Sequence, residues 1–260
     1  MKEIYKLYSE NPDIYDIFSN DRDFFQQAAD ILSLLKCHTL TIKPNVIELF
    51  AGPARHSLEF VKLGCDVLSI DSALSMMQYS IKQGFQSPIK YIVSHIPNIN
   101  LTVPKTNLFT LLRYSVGYMD KLQLSNLIKW CDLNSHANGL LIIELHIPSK
   151  ILSLANNDMR IREREVSSKY GVVKCIWPKD IKFNSIGSLS LDMNVEISIN
   201  NLAETYLSTE YIHTFDDIKF ISQSLFDLDC VIYNKNFDSF GNDSLIVGVL
   251  LNKDGKNDRL

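Results

Sequence analysis

Val46-Ile47-Glu48-Leu49-Phe50-Ala51-Gly52-Pro53-Ala54-Arg55-His56-Ser57 is the stretch on which the reading of this 260-residue chain turns. Pro44 breaks the chain just before it, and the apolar residues of 46–50 predict a short buried strand. Ala51-Gly52-Pro53 reads as a turn, and Arg55–Leu63 as a helix ending at Gly64. A glycine in such a turn lets a ligand approach backbone amides closely, because it has no Cβ. Twenty-three residues after Glu48, a second strand, Asp66–Ile70, closes on Asp71. An acid at that place can accept both hydroxyls of a ribose.

The pattern repeats downstream. Ser75–Lys82 predicts a helix stopped near Gly84, Ile89–Val93 and Leu108–Leu112 two strands, Leu122–Leu133 a helix, and Gly139–Leu145 a fifth strand. The order β-α-β-α-β-β-α-β calls for a mostly parallel sheet with right-handed crossovers. Upstream, Asp21–Lys36 carries Phe24, Phe25, Ala28, Ile31, Leu32 and Leu35 along one side of a predicted helix, and residues 1–20 read as a short helix and an aromatic-bearing arm.

After the fifth strand the period changes. Leu189, Leu191, Met193, Val195, Ile197 and Ile199 alternate with polar residues, a half-buried strand flanked by strand-like Val172–Trp177 and Thr205–His213. Arg160, Arg162 and Arg164, interleaved with Glu163 and Glu165, predict a solvated, salt-bridged helix. Thr214 with Asp217 reads as an N-cap opening the helix Phe215–Phe226. Leu228–Tyr233 and Leu245–Leu251 finish the chain, and the loop Asn234–Asp243 permits an antiparallel pair at the sheet edge. The expected organisation is one α/β domain over 1–260, with a helical arm or lid over 1–38 and a small antiparallel β insert over 165–213 as a substrate cover.

Composition narrows the function. Thirty Asp and Glu against 26 Lys and Arg give a formal charge of −4, which disfavours nucleic acid as a partner. No secretory signal is visible, and the longest apolar runs are too short to cross a bilayer. The five cysteines are scattered with no Cys-x-x-Cys, which predicts reduced thiols in a cytoplasmic protein and no metal site. A homodimer stays open.

The ligand follows from charge. A dinucleotide brings a pyrophosphate and wants G-x-G-x-x-G, whereas Gly52 stands alone among those positions and Glu48 sits four residues before it. S-adenosylmethionine (SAM) has ribose hydroxyls for Asp71, no phosphate, and an ammonium and a sulfonium that favour acidic surroundings. Two acids at the ends of neighbouring strands therefore select SAM over NAD, and ATP is disfavoured likewise because no G-x-x-x-x-G-K-[ST] is present.

Glu48–Ser57 followed by Leu63-Gly64-Cys65-Asp66-Val67-Leu68-Ser69-Ile70-Asp71 closely resembles the first motif and second-strand acid of class I SAM-dependent methyltransferases, with Ser75-Met76-Met77 matching the start of the next helix. The resemblance covers most of 40–250 and is specific over 46–77. It implies a Rossmann-like, seven-stranded, mostly parallel sheet with an antiparallel last strand, and SAM at the carboxyl ends of the strands. The family's acid-x-Gly-x-Gly-x-Gly becomes Glu48-x-Phe50-x-Gly52-x-Ala54; His95 stands where a third acid commonly follows strand three, and Asn107 where strand four often begins with Asp.

Cofactor contacts implied in this way come from Glu48, Phe50, Ala51 and Gly52 in the first turn and from Asp71, Ser72 and Met76 at the second. Ser94, His95 and Ile96 follow the third strand, Arg113 the fourth, and Tyr15 comes from the arm. SN2 transfer needs the acceptor lone pair in line with the S–CH₃ bond, so placement carries much of the catalysis. A positioned base helps when the acceptor is protonated, and His146, then Tyr114, are the candidates. There is no Asn/Asp-Pro-Pro-Tyr and no Pro-Cys, which favours O or N of a small-molecule acceptor over a nucleic-acid base. Two alternatives stay open: a catalytically inactive member of the fold that binds or regulates, and a SAM-using enzyme with non-methyl chemistry.

Overall fold

Val46, Ile47 and Leu49 are each almost fully buried, which requires a strand covered on both faces and so a helix layer on either side. The computed structural model describes residues 1–84, 90–96, 101–155, 163–184, 190–233, 238–240 and 243–253. Its elements begin with Lys2–Glu3 (β1), Tyr5–Glu10 (α1), Pro12–Ser19 (α2), Phe24–Lys36 (α3), Asn45–Leu49 (β2) and Arg55–Lys62 (α4). They continue with Asp66–Asp71 (β3), Leu74–Lys82 (α5), Lys90–Val93 (β4), Thr106–Leu111 (β5), Lys121–Leu133 (α6), Ser135–His146 (β6) and Pro148–Ala155 (α7). Glu163–Ser168 (β7), Gly171–Phe183 (β8), Ser190–Ile199 (β9), Leu202–Tyr211 (β10), Phe215–Lys219 (α8), Cys230–Ile232 (β11) and Ser244–Leu251 (β12) complete the chain. Where a single domain is expected, the chain divides into two compact units, Asp23–His146 with His213–Leu260, and Met1–Arg22 with Ile147–Ile212.

The first unit holds a seven-stranded sheet in the order β11-β12-β6-β5-β2-β3-β4. The strands β2 to β6 pair in parallel, and β12 runs antiparallel to both its neighbours. The expected antiparallel pair forms, but β12 lies inside the sheet and β11 forms the edge. Ile246, Val247 and Val249 are buried, whereas Val231 and Ile232 are exposed, so only β12 has the two-sided apolar character of an interior strand.

Alternation along each strand splits the core. Ile47, Leu49, Phe109 and Leu111 pack with Leu124, Leu127 and Ile128 of α6. Val46, Leu108 and Ile142 pack on the other face with Ala28, Ile31 and Leu35 of α3 and Phe60 of α4. Burying one such side chain stabilises the fold by about 1.5–3 kcal/mol. The helix α3, placed in the arm by its sequence position, thus belongs to the sheet unit. The Thr214 cap forms as a reciprocal box with Asp217, and the helix then continues as a π-helical turn, Phe220–Leu225.

The second unit is a five-stranded sheet, β1-β10-β9-β8-β7, antiparallel except where β1 joins β10 in parallel. Leu191, Met193, Val195 and Ile197 face inward as their period predicts; Leu189 lies outside the described residues. The basic stretch is corrected. Glu163–Ser168 is a strand whose residues alternate between exposed and half-buried, and Arg164 turns its guanidinium onto the carbonyls of Phe18 and Asn20 at the end of α2. Local charge alternation fits a helix face and a strand face alike, and pairing with β8 decides it. Arg160, Arg162, Ile89 and most of the loop 234–243 lie outside the described residues.

Candidate functional site

The turn after β2 is built from three left-handed residues, Phe50 (φ 53°), Gly52 (φ 51°) and Ala54 (φ 61°). Glycine takes this conformation freely; each of the other two costs about 1–2 kcal/mol. Neighbouring strands hold the turn in place. The Gly52 N–H donates to Asp71 Oδ2 at 2.9 Å, and the Tyr91 hydroxyl on β4 donates to the Gly52 carbonyl at 2.6 Å. The Ala73 N–H donates to Asp71 Oδ1 at 2.8 Å, which fixes the carboxylate at the tip of β3. Burial pushes the Asp71 carboxyl above its usual range; the amides of Ala73 and Gly52 pull it back, and the nearby Glu48 pushes it up again. Burial, then Asp71 and Glu48, raise the Tyr91 phenol, so it stays a donor near neutral pH.

Glu48 is buried, with 4% of its surface exposed. Oε2 accepts the Ser57 N–H at 2.8 Å and the Ser57 hydroxyl, and Oε1 lies 3.4 Å from His56 Nδ1. Beyond it, His56 Nε2 meets Gln27 Oε1 at 2.8 Å, and Ser57 meets Ser69 at 2.7 Å. The carboxylate accepts from the first turn of α4, where orphan amides and the helix dipole favour a negative charge. Of the two acids that the sequence brings together, Asp71 is held at the tip of β3 by backbone amides, and Glu48 is buried close enough to raise its carboxyl.

Around that turn, Ala51 is buried and its N–H donates to the Ile70 carbonyl at 3.0 Å. Ser72 is half-buried and adds its own N–H to Asp71. Met76 is 1% exposed, a core residue of α5. Ser94 follows β4, with its N–H on the Asp71 carbonyl at 2.9 Å; His95 is exposed, and Ile96 is buried in the core beside α6. Tyr15 belongs to the other unit, edge-on to Tyr8 and Phe18.

The turn after β5 brings the two base candidates together. Arg113 and Tyr114 are both left-handed, each at φ 59°. The Tyr114 ring stacks on the His146 imidazole, with centroids 3.8 Å apart and planes at 10°. Its hydroxyl lies 2.8 Å from Ser244 Oγ. Between this turn and the first, Phe50 and Tyr118 approach to 6.2 Å. Tyr91, Glu144 and Ser244 carry no signal in the sequence that marks them for this site. Tyr91 is an ordinary strand tyrosine in the sequence, and Glu144 is an isolated acid in an apolar strand. Among the described residues no group of three His, Cys, Asp or Glu could hold a metal ion, and no helix is long and apolar enough to cross a membrane.

No family model and no curated protein matches the chain. Solved structures do. The SAM-bound amino pentose methyltransferase CalS10 from Micromonospora echinaspora superimposes with a TM-score of 0.68 at 10% identity, covering 88% of this chain and 92% of that one. The sugar N-methyltransferase KedS8 from a Streptoalloteichus species gives 0.70 at 14%, covering 91% and 92%. A SAM-dependent methyltransferase from Clostridium acetobutylicum gives 0.67 at 15%, covering 94% and 98%. At these identities the likeness is one of architecture: the chain has the fold of SAM-dependent methyltransferases, with a seven-stranded, mostly parallel sheet and a smaller antiparallel one.

Proposed function

We propose that this protein is a SAM-dependent methyltransferase acting on a nitrogen or oxygen of a small-molecule acceptor. The observation that carries this reading is the Gly52 peptide, held in the left-handed region with Asp71 on its N–H and Tyr91 on its carbonyl. It lies beside the point where the strand order reverses between β2 and β5, the place where open α/β sheets bind ligands. When bound there, SAM supplies an electrophilic methyl group on a sulfonium. Asp71 can still accept ribose hydroxyls, since each carboxylate oxygen has two lone pairs. Glu48 holds the turn and the start of α4 and adds negative field; phosphates are disfavoured beside it.

Tyr114 and His146 stand at the tips of β5 and β6, where a proton can leave the acceptor. Placement supplies up to about 7–11 kcal/mol in favourable systems, and a positioned base adds roughly 10²–10⁴-fold. Two of the similar structures are described as an amino pentose methyltransferase and a sugar N-methyltransferase, so amino sugars are the first acceptors to try. The test is incubation of the pure protein with methyl-labelled SAM and a panel of amino sugars and alcohols, read by mass spectrometry. S-adenosylhomocysteine formed in step with a methylated product supports the reading. SAM that binds and is converted to anything else points to other sulfonium chemistry, and failure to bind SAM removes the proposal.

A further inference from the structure

Glu144 is an acidic residue with no exposed surface, in β6 two residues before His146. A carboxylate in that position costs several kcal/mol unless its oxygens are hydrogen-bonded. Oε2 accepts the Arg113 N–H at 2.7 Å, and Oε1 lies 2.6 Å from Ser244 Oγ. Ser244 arrives through the pairing of β12 with β6, directly opposite His146. In the 2.6 Å contact the Ser244 hydroxyl donates to Glu144 Oε1, which takes its one hydrogen. The Phe240 carbonyl, 3.0 Å from the same Oγ, is another acceptor and can only share it. The 2.8 Å contact between Ser244 and Tyr114 must then use the Tyr114 hydrogen. The chain runs one way, from the Tyr114 O–H to the Ser244 O–H to Glu144, and towards any third partner the Tyr114 oxygen can only accept.

Resting on the methyltransferase reading, we propose that Glu144 and Ser244 are positioning residues that set Tyr114 as hydrogen-bond acceptor for the incoming nucleophile, which must therefore carry an N–H or O–H. Glu144 holds both the backbone and, through Ser244, the hydroxyl of one left-handed turn, and that turn presses the Tyr114 ring onto His146. In the transfer, the acceptor's lone pair forms the new bond to the methyl carbon as the carbon–sulfur pair leaves with sulfur. The acceptor's proton passes to the Tyr114 oxygen, the Tyr114 hydrogen to Ser244, and the Ser244 hydrogen to Glu144 Oε1. One positive and one negative charge vanish together, which a low-dielectric interior favours.

The test needs no acceptor. Tyrosine labelled with ¹³C at the oxygen-bearing ring carbon is incorporated into the full chain, and the Tyr114 signal is identified by its loss in Tyr114→Phe. Donation into a chain that ends on a carboxylate draws this signal towards the tyrosinate position. Ser244→Ala and Glu144→Gln should each move it back, the double variant no further than Ser244→Ala alone, and Ser244→Thr should leave it in place. A signal unmoved by Ser244→Ala, or shifts that add in the double variant, overturns the proposal; Ser244→Ala decides it alone if Glu144→Gln does not fold. Calorimetry with SAM on the wild-type sample reads the methyltransferase proposal separately.

Discussion

The turn after β2 and the turn after β5 are made to one plan from differently placed parts. Each contains two non-glycine residues in the left-handed region, Phe50 and Ala54 in one, Arg113 and Tyr114 in the other. In each, a buried glutamate accepts one backbone N–H and one serine hydroxyl. The partners differ in distance along the chain. Glu48 reaches Ser57, nine residues on, whereas Glu144 reaches Arg113 and Ser244, 31 and 100 residues away. The first turn is local enough to show as a motif, and the second exists only once β6 has paired with β5 and β12. The turn after β2 can thus show as a motif in an isolated sequence while its counterpart across the switch point cannot.

Both glutamates should bear strongly on stability. Glu48→Ala leaves a buried amide and a buried hydroxyl, both of Ser57, without their acceptor, and should lower the unfolding free energy by about 3 kcal/mol or more, measured in urea. Glu144→Ala should lose a similar amount. The two separate in binding: Glu48→Ala also weakens SAM affinity by calorimetry, and Glu144→Ala leaves it near wild type. Equal losses of affinity would break the division of the site into a cofactor side and an acceptor side.

Backbone strain gives a smaller effect. Ala54 is fully buried at φ 61°, so Ala54→Val puts a branched side chain where the left-handed region tolerates it least. A loss of about 1–3 kcal/mol is expected in thermal or urea unfolding. An unchanged stability would mean that the turn relaxes to an ordinary conformation.

The smallest effect concerns the far end of the second turn. His213 Nε2 donates to the Met119 carbonyl at 2.7 Å, and burial holds the imidazole below its ordinary pKa of 6.5. The unfolded chain therefore takes up this proton first, and stability falls as pH drops from 6.5 towards the lowered folded value. His213→Gln should flatten that decline between about pH 7 and pH 5.5, with a slope difference of up to about 1.4 kcal/mol per unit. A slope that does not change would place the acid sensitivity elsewhere.

What could be read in advance was local. The run 46–57 with Asp71 specifies a strand, a glycine turn and a helix by short-range chemistry, and the alternation around 190–199 specifies its strand by period alone. The charged stretch at Arg164 reads as a helix in the sequence and is a strand in the structure, because alternation of Arg and Glu suits both geometries until β8 pairs with it. The place of β12 inside the sheet follows from burial on both its faces, which a short apolar run does not reveal. Glu48 stands in the motif, but its partners, the Ser57 amide and hydroxyl at the start of α4, are set by the fold of the turn. Tyr91 and Glu144 carry no sequence signal, since their partners are brought to them by sheet registry.

Asp71, together with the turn it holds, is proposed to bind a sulfonium nucleoside. Calorimetric titration of the wild-type protein and of Asp71→Asn with SAM decides this. One site per chain is predicted, with a roughly 10–100-fold loss of affinity in Asp71→Asn, the worth of a charge-assisted contact. Absence of SAM binding by the wild type, or equal affinity in the two proteins, would rule out this role for Asp71.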